Sequence, residues 1–197
     1  MTPTDVSRET GGVDAFIDFL LDYNRKVNLV SRHSTRDSLR ALVSETLLLR
    51  DLVSAPLLAD AGSGGGLLGI PLAISLPEKR VVLAETIGKK ALFLEAALRR
   101  LRLDNATVWR GPVQDLLRRQ GGRECALAAR GFPAIEVLAD FVYRRRVREL
   151  LLISSPEKIE KISRPVANVR QTRYNIPSRD NLIIFKLENV SRETRSP

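Results

Sequence analysis

The stretch "LLADAGSGGGLLGIPLA", residues 57–73, decides the fold. Five of the chain's 12 glycines fall at positions 62–69, directly behind a short apolar run that ends in Asp60. That run reads as a buried strand, and the residues after the glycines open a helical pattern. A glycine-rich turn between strand and helix lets backbone N–H groups and a helix N-terminus approach a ligand closely. The spacing is Asp60-x-Gly62-x-Gly64-x-Gly66. A dinucleotide fingerprint, G-x-G-x-x-G, would need glycine where this chain has Leu67. An acid ahead of the glycines suits a ligand that presents an amine and would repel a pyrophosphate.

Outward from this stretch, strand-like runs at 57–61, 80–85, 106–110, 125–129 and 149–154 alternate with helical patterns at 68–76, 88–102, 113–119, 134–146 and 155–162. The strands are apolar without alternation, which predicts a mostly parallel sheet covered on both faces, a three-layer α/β fold. Residues 168–176 and 181–188 are strand-like and separated only by Pro177, Ser178, Arg179 and Asp180. They predict a C-terminal antiparallel hairpin closing one sheet edge. Upstream, Phe16, Leu20, Tyr23 and Val27 mark an amphipathic helix over 13–30, and leucines mark a second over 35–54. The expected organisation is a polar tail (1–12), an N-terminal helical cap (13–56), a main domain (57–188) and a second polar tail (189–197). The pentapeptide VSRET occurs in both tails, at 6–10 and 190–194. It back-translates to the palindrome GTTTCACGTGAAAC, similar to a bacterial chromosome-partition site, so one reading is that the tails encode a DNA element; the gene's codons test it.

The chain has 197 residues, 32 Lys and Arg against 23 Asp and Glu, a formal charge of +9 and a pI near 10.3. Such a field attracts polyanions, nucleic acid foremost. The arginines cluster at 99, 100 and 102, at 118, 119 and 123, and at 144, 145, 146 and 148. The single Cys125 sits in an apolar run and predicts a buried, reduced thiol. Nothing reads as a signal peptide or a membrane span, so a soluble cytoplasmic protein without membrane contact is expected.

A second acid, Glu85, stands 23 positions after Gly62, at the end of the next strand-like run. An acid there can bond a ribose diol. Together with Asp60 and the glycines it describes a pocket for a nucleoside carrying an amino-acid tail, which S-adenosylmethionine fits. Several motifs then point one way: Tyr23-Asn24 with "NLVS" (28–31), "DAGSGGGLLGIPLA", "LAETIGKKALFL" (83–94), "ARGFPA" (129–134) and "LIIFK". On these the chain resembles the RsmG (GidB) family of bacterial class I methyltransferases, which act on guanine N7 of small-subunit rRNA. The resemblance implies a Rossmann-like methyltransferase fold, S-adenosylmethionine as donor, and the 530 loop of 16S rRNA, free or in the 30S particle, as substrate. It implies Asp60, Gly62, Gly64 and Gly66, with Leu67, around the methionine part of the donor, and Glu85 on its ribose. Val113 and Gln114 fall beside the adenine, and Arg130 at the mouth where donor and base meet, as the catalytic residue. A monomer is expected, and no metal. His33, in a polar loop, is not expected to be catalytic.

The resemblance also shows departures. Ser44, Glu45, Leu48 and Leu49 stand where the family has an Arg-His-x-x-Asp-Ser pattern. Pro112 replaces an arginine, Ser154-Ser155 a Lys-Gly turn, Gln114 an acid, and Asp180 an arginine, with Arg179 one place away. These changes concentrate on groups expected to face RNA. They leave open a family member that binds donor or RNA without efficient transfer. A dehydrogenase is disfavoured by Asp60 and Leu67, and a small-molecule methyltransferase by the basic charge.

Overall fold

The computed structural model describes residues 3–120 and 124–190. Five strands, β1 (Leu57–Ala61), β2 (Arg80–Glu85), β3 (Ala106–Arg110), β4 (Cys125–Arg130) and β5 (Glu149–Ser154), run parallel. The hairpin β6 (Val169–Ile176) and β7 (Arg179–Asn189) completes one sheet in the order β3-β2-β1-β4-β5-β7-β6, with β7 antiparallel to β5. The helices are α1 (Pro3–Asn24), α2 (Arg36–Leu47), α3 (Gly69–Ser75), α4 (Gly88–Leu101), α5 (Val113–Gln120), α6 (Ile135–Tyr143) and α7 (Pro156–Ile162).

Side chains of successive strand residues point to opposite faces, and both faces are covered. Leu58, Leu83, Ala126 and Leu151 enter a core with α1 to α4, while Ala59, Val82, Leu127 and Leu150 enter another with α5 to α7. Burial on both sides is why the strands read as unbroken apolar runs.

The N-terminal helices belong to the first of these cores. Phe19 of α1 stacks on Phe93 of α4, and Tyr23 meets the same ring at a tilt, ring centroids 5.6 and 5.1 Å apart. Helix α1 starts at Pro3, so residues 3–12, expected as a polar tail, continue the helix, and the first VSRET lies within it. The second VSRET lies, beyond Val190, outside the described residues, as does Arg123. At its other end α1 stops at Asn24, short of the expected 30, because Asn24 Oδ1 accepts the N–H groups of Leu29 (2.8 Å) and Val30 (3.1 Å). That turn folds "NLVS" back over the glycine loop, with the Leu29 carbonyl 3.1 Å from where a Cβ on Gly65 would sit. Thr35 and Ser38 start α2 with a reciprocal capping box. Helix α6 ends at Tyr143 rather than 146, since Arg145 adopts a left-handed φ of 55° and closes the turn. The hairpin turn is only Pro177-Ser178, because Arg179 already pairs with Ile176.

Where the parallel strands begin, Glu149 is fully buried. It accepts hydrogen bonds from the Ser54 and Ala55 N–H groups (2.7 and 2.9 Å) and the Ser54 hydroxyl (3.0 Å), and pairs with Lys186 at 3.1 Å. Lys186 is the lysine of "LIIFK". Cys125 is buried, which pushes its thiol up to about 12, so it is protonated and inert at neutral pH. No described helix is long and apolar enough to cross a membrane.

Candidate active site

Asp60, Glu85 and Arg130 all stand at the carboxyl ends of parallel strands, β1, β2 and β4. The strand order reverses between β1 and β4, the switch point at which open α/β sheets form their ligand crevice.

Glu85 organises the loop. Its Oε2 accepts the Gly64 N–H and its Oε1 the Ile87 N–H, both at 2.8 Å. It is 5% exposed. A carboxylate oxygen accepts two hydrogen bonds, so each retains one acceptor position for a diol. The loop is pinned to the same strand by Gly62 N–H and Ser63 N–H, which donate to the Ala84 carbonyl at 3.0 Å. Gly64 has φ +54°, and a Cβ there would meet only the Gly62 carbonyl, at 3.8 Å. The loop is therefore open on the side next to Glu85, and a nucleoside ribose fits that combination of carboxylate and bare backbone. The turn after β3 arrives beside this site, since the Gly111 N–H donates to the Glu85 carbonyl at 3.0 Å. It places Val113, buried, and Gln114, half-buried, at the start of α5.

Asp60 is 2% exposed, and its Oδ2 accepts the Gly69 N–H at 3.0 Å. The acid thus anchors the start of α3. Burial, with the Glu85 charge nearby, pushes it up to about 7 against the hydrogen bond from Gly69. Gly69 is a residue the spacing argument missed. A Cβ there would sit 2.1 Å from Leu83 Cδ2 and 2.8 Å from Asp60 Oδ2. Of two residues expected beside the donor, Gly66 is buried and Leu67 is half-buried. Gly66 is buried against Ile70 and Leu94, and Leu67 packs on the first core while its carbonyl accepts the Thr46 hydroxyl at 3.1 Å. Within the loop Gly62 is exposed and Gly64, like Leu67, is half-buried.

Arg130 ends β4, and two residues later the Phe132 ring lies against Gly62, 3.1 Å from where its Cβ would be. Arg130 Nη1 donates to the Leu42 carbonyl at 3.2 Å, and its Nη2 donates to Glu45 Oε2. Arg179 Nε donates to Glu45 Oε1 at 2.7 Å. Glu45, 2% exposed, therefore gathers two arginines at the mouth. Burial opposes its ionisation, but the hydrogen bonds from Arg179 and Arg130 outweigh that and hold its carboxyl below the usual range. Glu45 and Arg179, both read in the sequence as departures or their neighbours, thus form one unit with Arg130. The one available signal was Arg179 standing next to the position of an expected arginine. The other departures do not join it: Ser44, Pro112 and Asp180 are exposed, and Ser154 is buried at the end of β5. His33 is exposed on its loop.

The GidB family model, for "rRNA small subunit methyltransferase G", matches residues 11–164. The chain belongs to this family. The family's ribosomal RNA small subunit methyltransferase G of Brachyspira hyodysenteriae is 30% identical over 181 residues, covering 90% of this chain and 84% of the relative. That of Glaesserella parasuis is 28% identical over 167 residues, covering 82% and 81%. Among solved structures, a methyltransferase from Geobacter sulfurreducens superposes with a TM-score of 0.63 at 17% identity, covering 90% and 89% of the two chains. The O-methyltransferase TomG from Streptomyces achromogenes, in complex with S-adenosylmethionine, gives 0.64 at 16%, covering 89% of each. These two show the methyltransferase fold. As a GidB-family member, the protein is an S-adenosylmethionine-dependent methyltransferase of small-subunit rRNA.

Proposed function

We propose that the protein methylates N7 of a guanine in the 530 loop of 16S rRNA, and that Arg130 is the catalytic residue that positions that base. The observation that carries this reading is the placement of Arg130 at the end of β4, two residues from the Phe132 contact with Gly62 and tied to Glu45 at the mouth.

In this reading Glu85 holds the donor's ribose, and Gly62 and Gly64 offer bare backbone to its methionine part. Val113 and Gln114 flank the adenine, and Asp60 faces the amine end. Gly66 and Leu67 act from behind, by shaping the loop. When bound, S-adenosylmethionine supplies a sulfonium methyl group, an electrophile already activated. Guanine N7 carries a lone pair and no proton at neutral pH, so no side chain has to accept one. What the chain must do is fix the base in line and keep it there. A guanidinium donating to guanine O6 leaves N7 uncovered, and the Leu42 carbonyl and Glu45 fix where Arg130 can reach. Arg179 stands ready for a flanking phosphate. The substrate is the rRNA itself or the 30S particle, and the protein works as a cytoplasmic monomer, a state that light scattering tests.

A second reading has one observation in its favour: Glu45 neutralises part of the charge of both mouth arginines. It is a protein that binds donor and RNA with little transfer. Tritium-methyl transfer to unmodified 30S particles, with N7-specific strand scission, separates the two. Arg130→Ala is expected to lower transfer at least tenfold while leaving donor affinity within a factor of two to three. Equal loss of both would remove Arg130 from the catalytic role.

A further inference from the structure

At the end of the sheet opposite the active site, where the parallel strands begin, lies a groove of about 1410 Å³. Six arginines line it: Arg118, Arg144, Arg145, Arg146, Arg148 and Arg170; the acids are Glu124, Asp140 and Glu188. Four of the arginines have local partners. Arg118 pairs with Asp115 at 2.5 Å, Arg144 with Asp140 at 2.5 Å, and Arg148 with Glu124 and Arg170 with Glu188, both at 3.3 Å. Glu188 is shared with Lys186, at 2.9 Å. Among the described residues, Arg145 and Arg146 pair with no acid, and both are exposed.

These two are not on a loose loop. The Arg145 N–H donates to the Val142 carbonyl at 2.8 Å and the Arg146 N–H to the Phe141 carbonyl at 2.7 Å, closing the end of α6. A helix C-terminus gains from a nearby cation, and Arg144, the C-cap residue of α6, is the first one there. Arg145 and Arg146 therefore add charge that the fold does not need, next to four more guanidinium groups. Four of the six are neutralised by their acids, so the charge open to a polyanion is that of Arg145 and Arg146.

The groove also connects to the mouth of the active site. Strand β6 is the sheet edge and runs parallel to β5, from Val169 opposite Asn189 at the groove to Ile176 opposite Arg179 at the mouth. Arg170 and Arg173 are exposed along it. At ~3.3 Å per residue the path from Arg170 to Ile176 is about 20 Å.

We propose that the groove is a second RNA-binding site. It takes the phosphodiester backbone of an rRNA segment that flanks the methylated one, and the exposed edge of β6 is the track between them. The contact is electrostatic and sequence-independent, so it sets register while the mouth selects the base. The proposal rests on rRNA being the substrate, but its test does not depend on methyl transfer.

The test is filter binding of in vitro transcribed 16S rRNA over a series of KCl concentrations. The double variant Arg145→Glu/Arg146→Glu is compared with Arg80→Glu/Arg99→Glu, the same charge change on exposed arginines elsewhere. The groove variant should bind RNA at least tenfold more weakly, with a salt slope shallower by about one to two. The control should lose less than threefold. S-adenosylmethionine affinity, measured on the same samples, should match wild type in both, and melting curves should show both variants folded at the binding temperature. Unchanged RNA affinity in the groove variant, or equal loss in the two variants, would overturn the proposal. A wild type that binds RNA but transfers no methyl would overturn the proposed activity and leave this comparison readable.

Discussion

At Glu45 a single buried carboxylate serves guanidinium groups that come from positions 85 and 134 residues away in the chain. Its removal would leave Arg130 and Arg179 side by side without a counter-charge. Glu45→Gln should cost about 1–3 kcal/mol in urea unfolding and raise the KM for rRNA more than it lowers kcat. Because the folded-state carboxyl lies below its ordinary range, the stability it gives is present above the unfolded value of 4.5 and lost as pH falls. Asp60 has the opposite sign. Its folded value is raised from 3.8 to about 7, so its contribution is full in acid and declines as pH rises across that window. Asp60→Asn should therefore flatten the fall in stability over that range. If the ionised form faces the donor's amine, wild-type donor affinity should rise between about pH 6 and 8, and the Asn variant should show no such rise. Glu85→Ala should weaken donor binding by about 1.5–3 kcal/mol in calorimetry. Unchanged affinity would remove Glu85 from the pocket.

Where β1 turns into α3, two glycines are required for different reasons. Gly69→Ala would drive a methyl into Leu83 and Asp60 within the core and should cost roughly 1–3 kcal/mol or more of stability. Gly64→Ala meets no such obstacle; its positive φ costs about 1–2 kcal/mol, and its methyl enters the space the proposed function gives to the donor. Its larger effect should be on donor affinity, and a melting curve beside a titration separates the two variants. The sequence spacing could not distinguish these roles, because it counts glycines without showing which side of the turn each faces. It could not tell that Gly66 is buried while Gly62 is exposed. The strands were legible because burial on both faces leaves an unbroken apolar run. The first turns of α1 were not, since residues 3–12 have no apolar stripe. Arg179 could not be joined to Glu45 from sequence at all, because only the β6–β7 turn brings them together.

Across the whole molecule the two ends of the parallel strands do different things. The carboxyl ends hold the glycine loop, the proposed donor site, and the Arg130–Glu45–Arg179 cluster. The amino ends hold the buried Glu149 contacts and, on the surface, the arginine groove. Glu149→Ala would leave Lys186 and two backbone N–H groups without their carboxylate and should cost about 3–5 kcal/mol, read by chemical unfolding, without touching donor affinity at a temperature where the variant is folded. The net charge of +9 was legible in composition, but its division between the mouth, the edge strand and the groove required the fold. The most direct test of the account is a single preparation carried through titration with S-adenosylmethionine and then tritium-methyl transfer to unmodified 30S particles, with wild type and Arg130→Ala side by side. The account predicts saturable binding by both proteins, transfer to one guanine N7 of the 530 loop by wild type, and a loss of at least tenfold in the variant. Wild-type binding without transfer would contradict it.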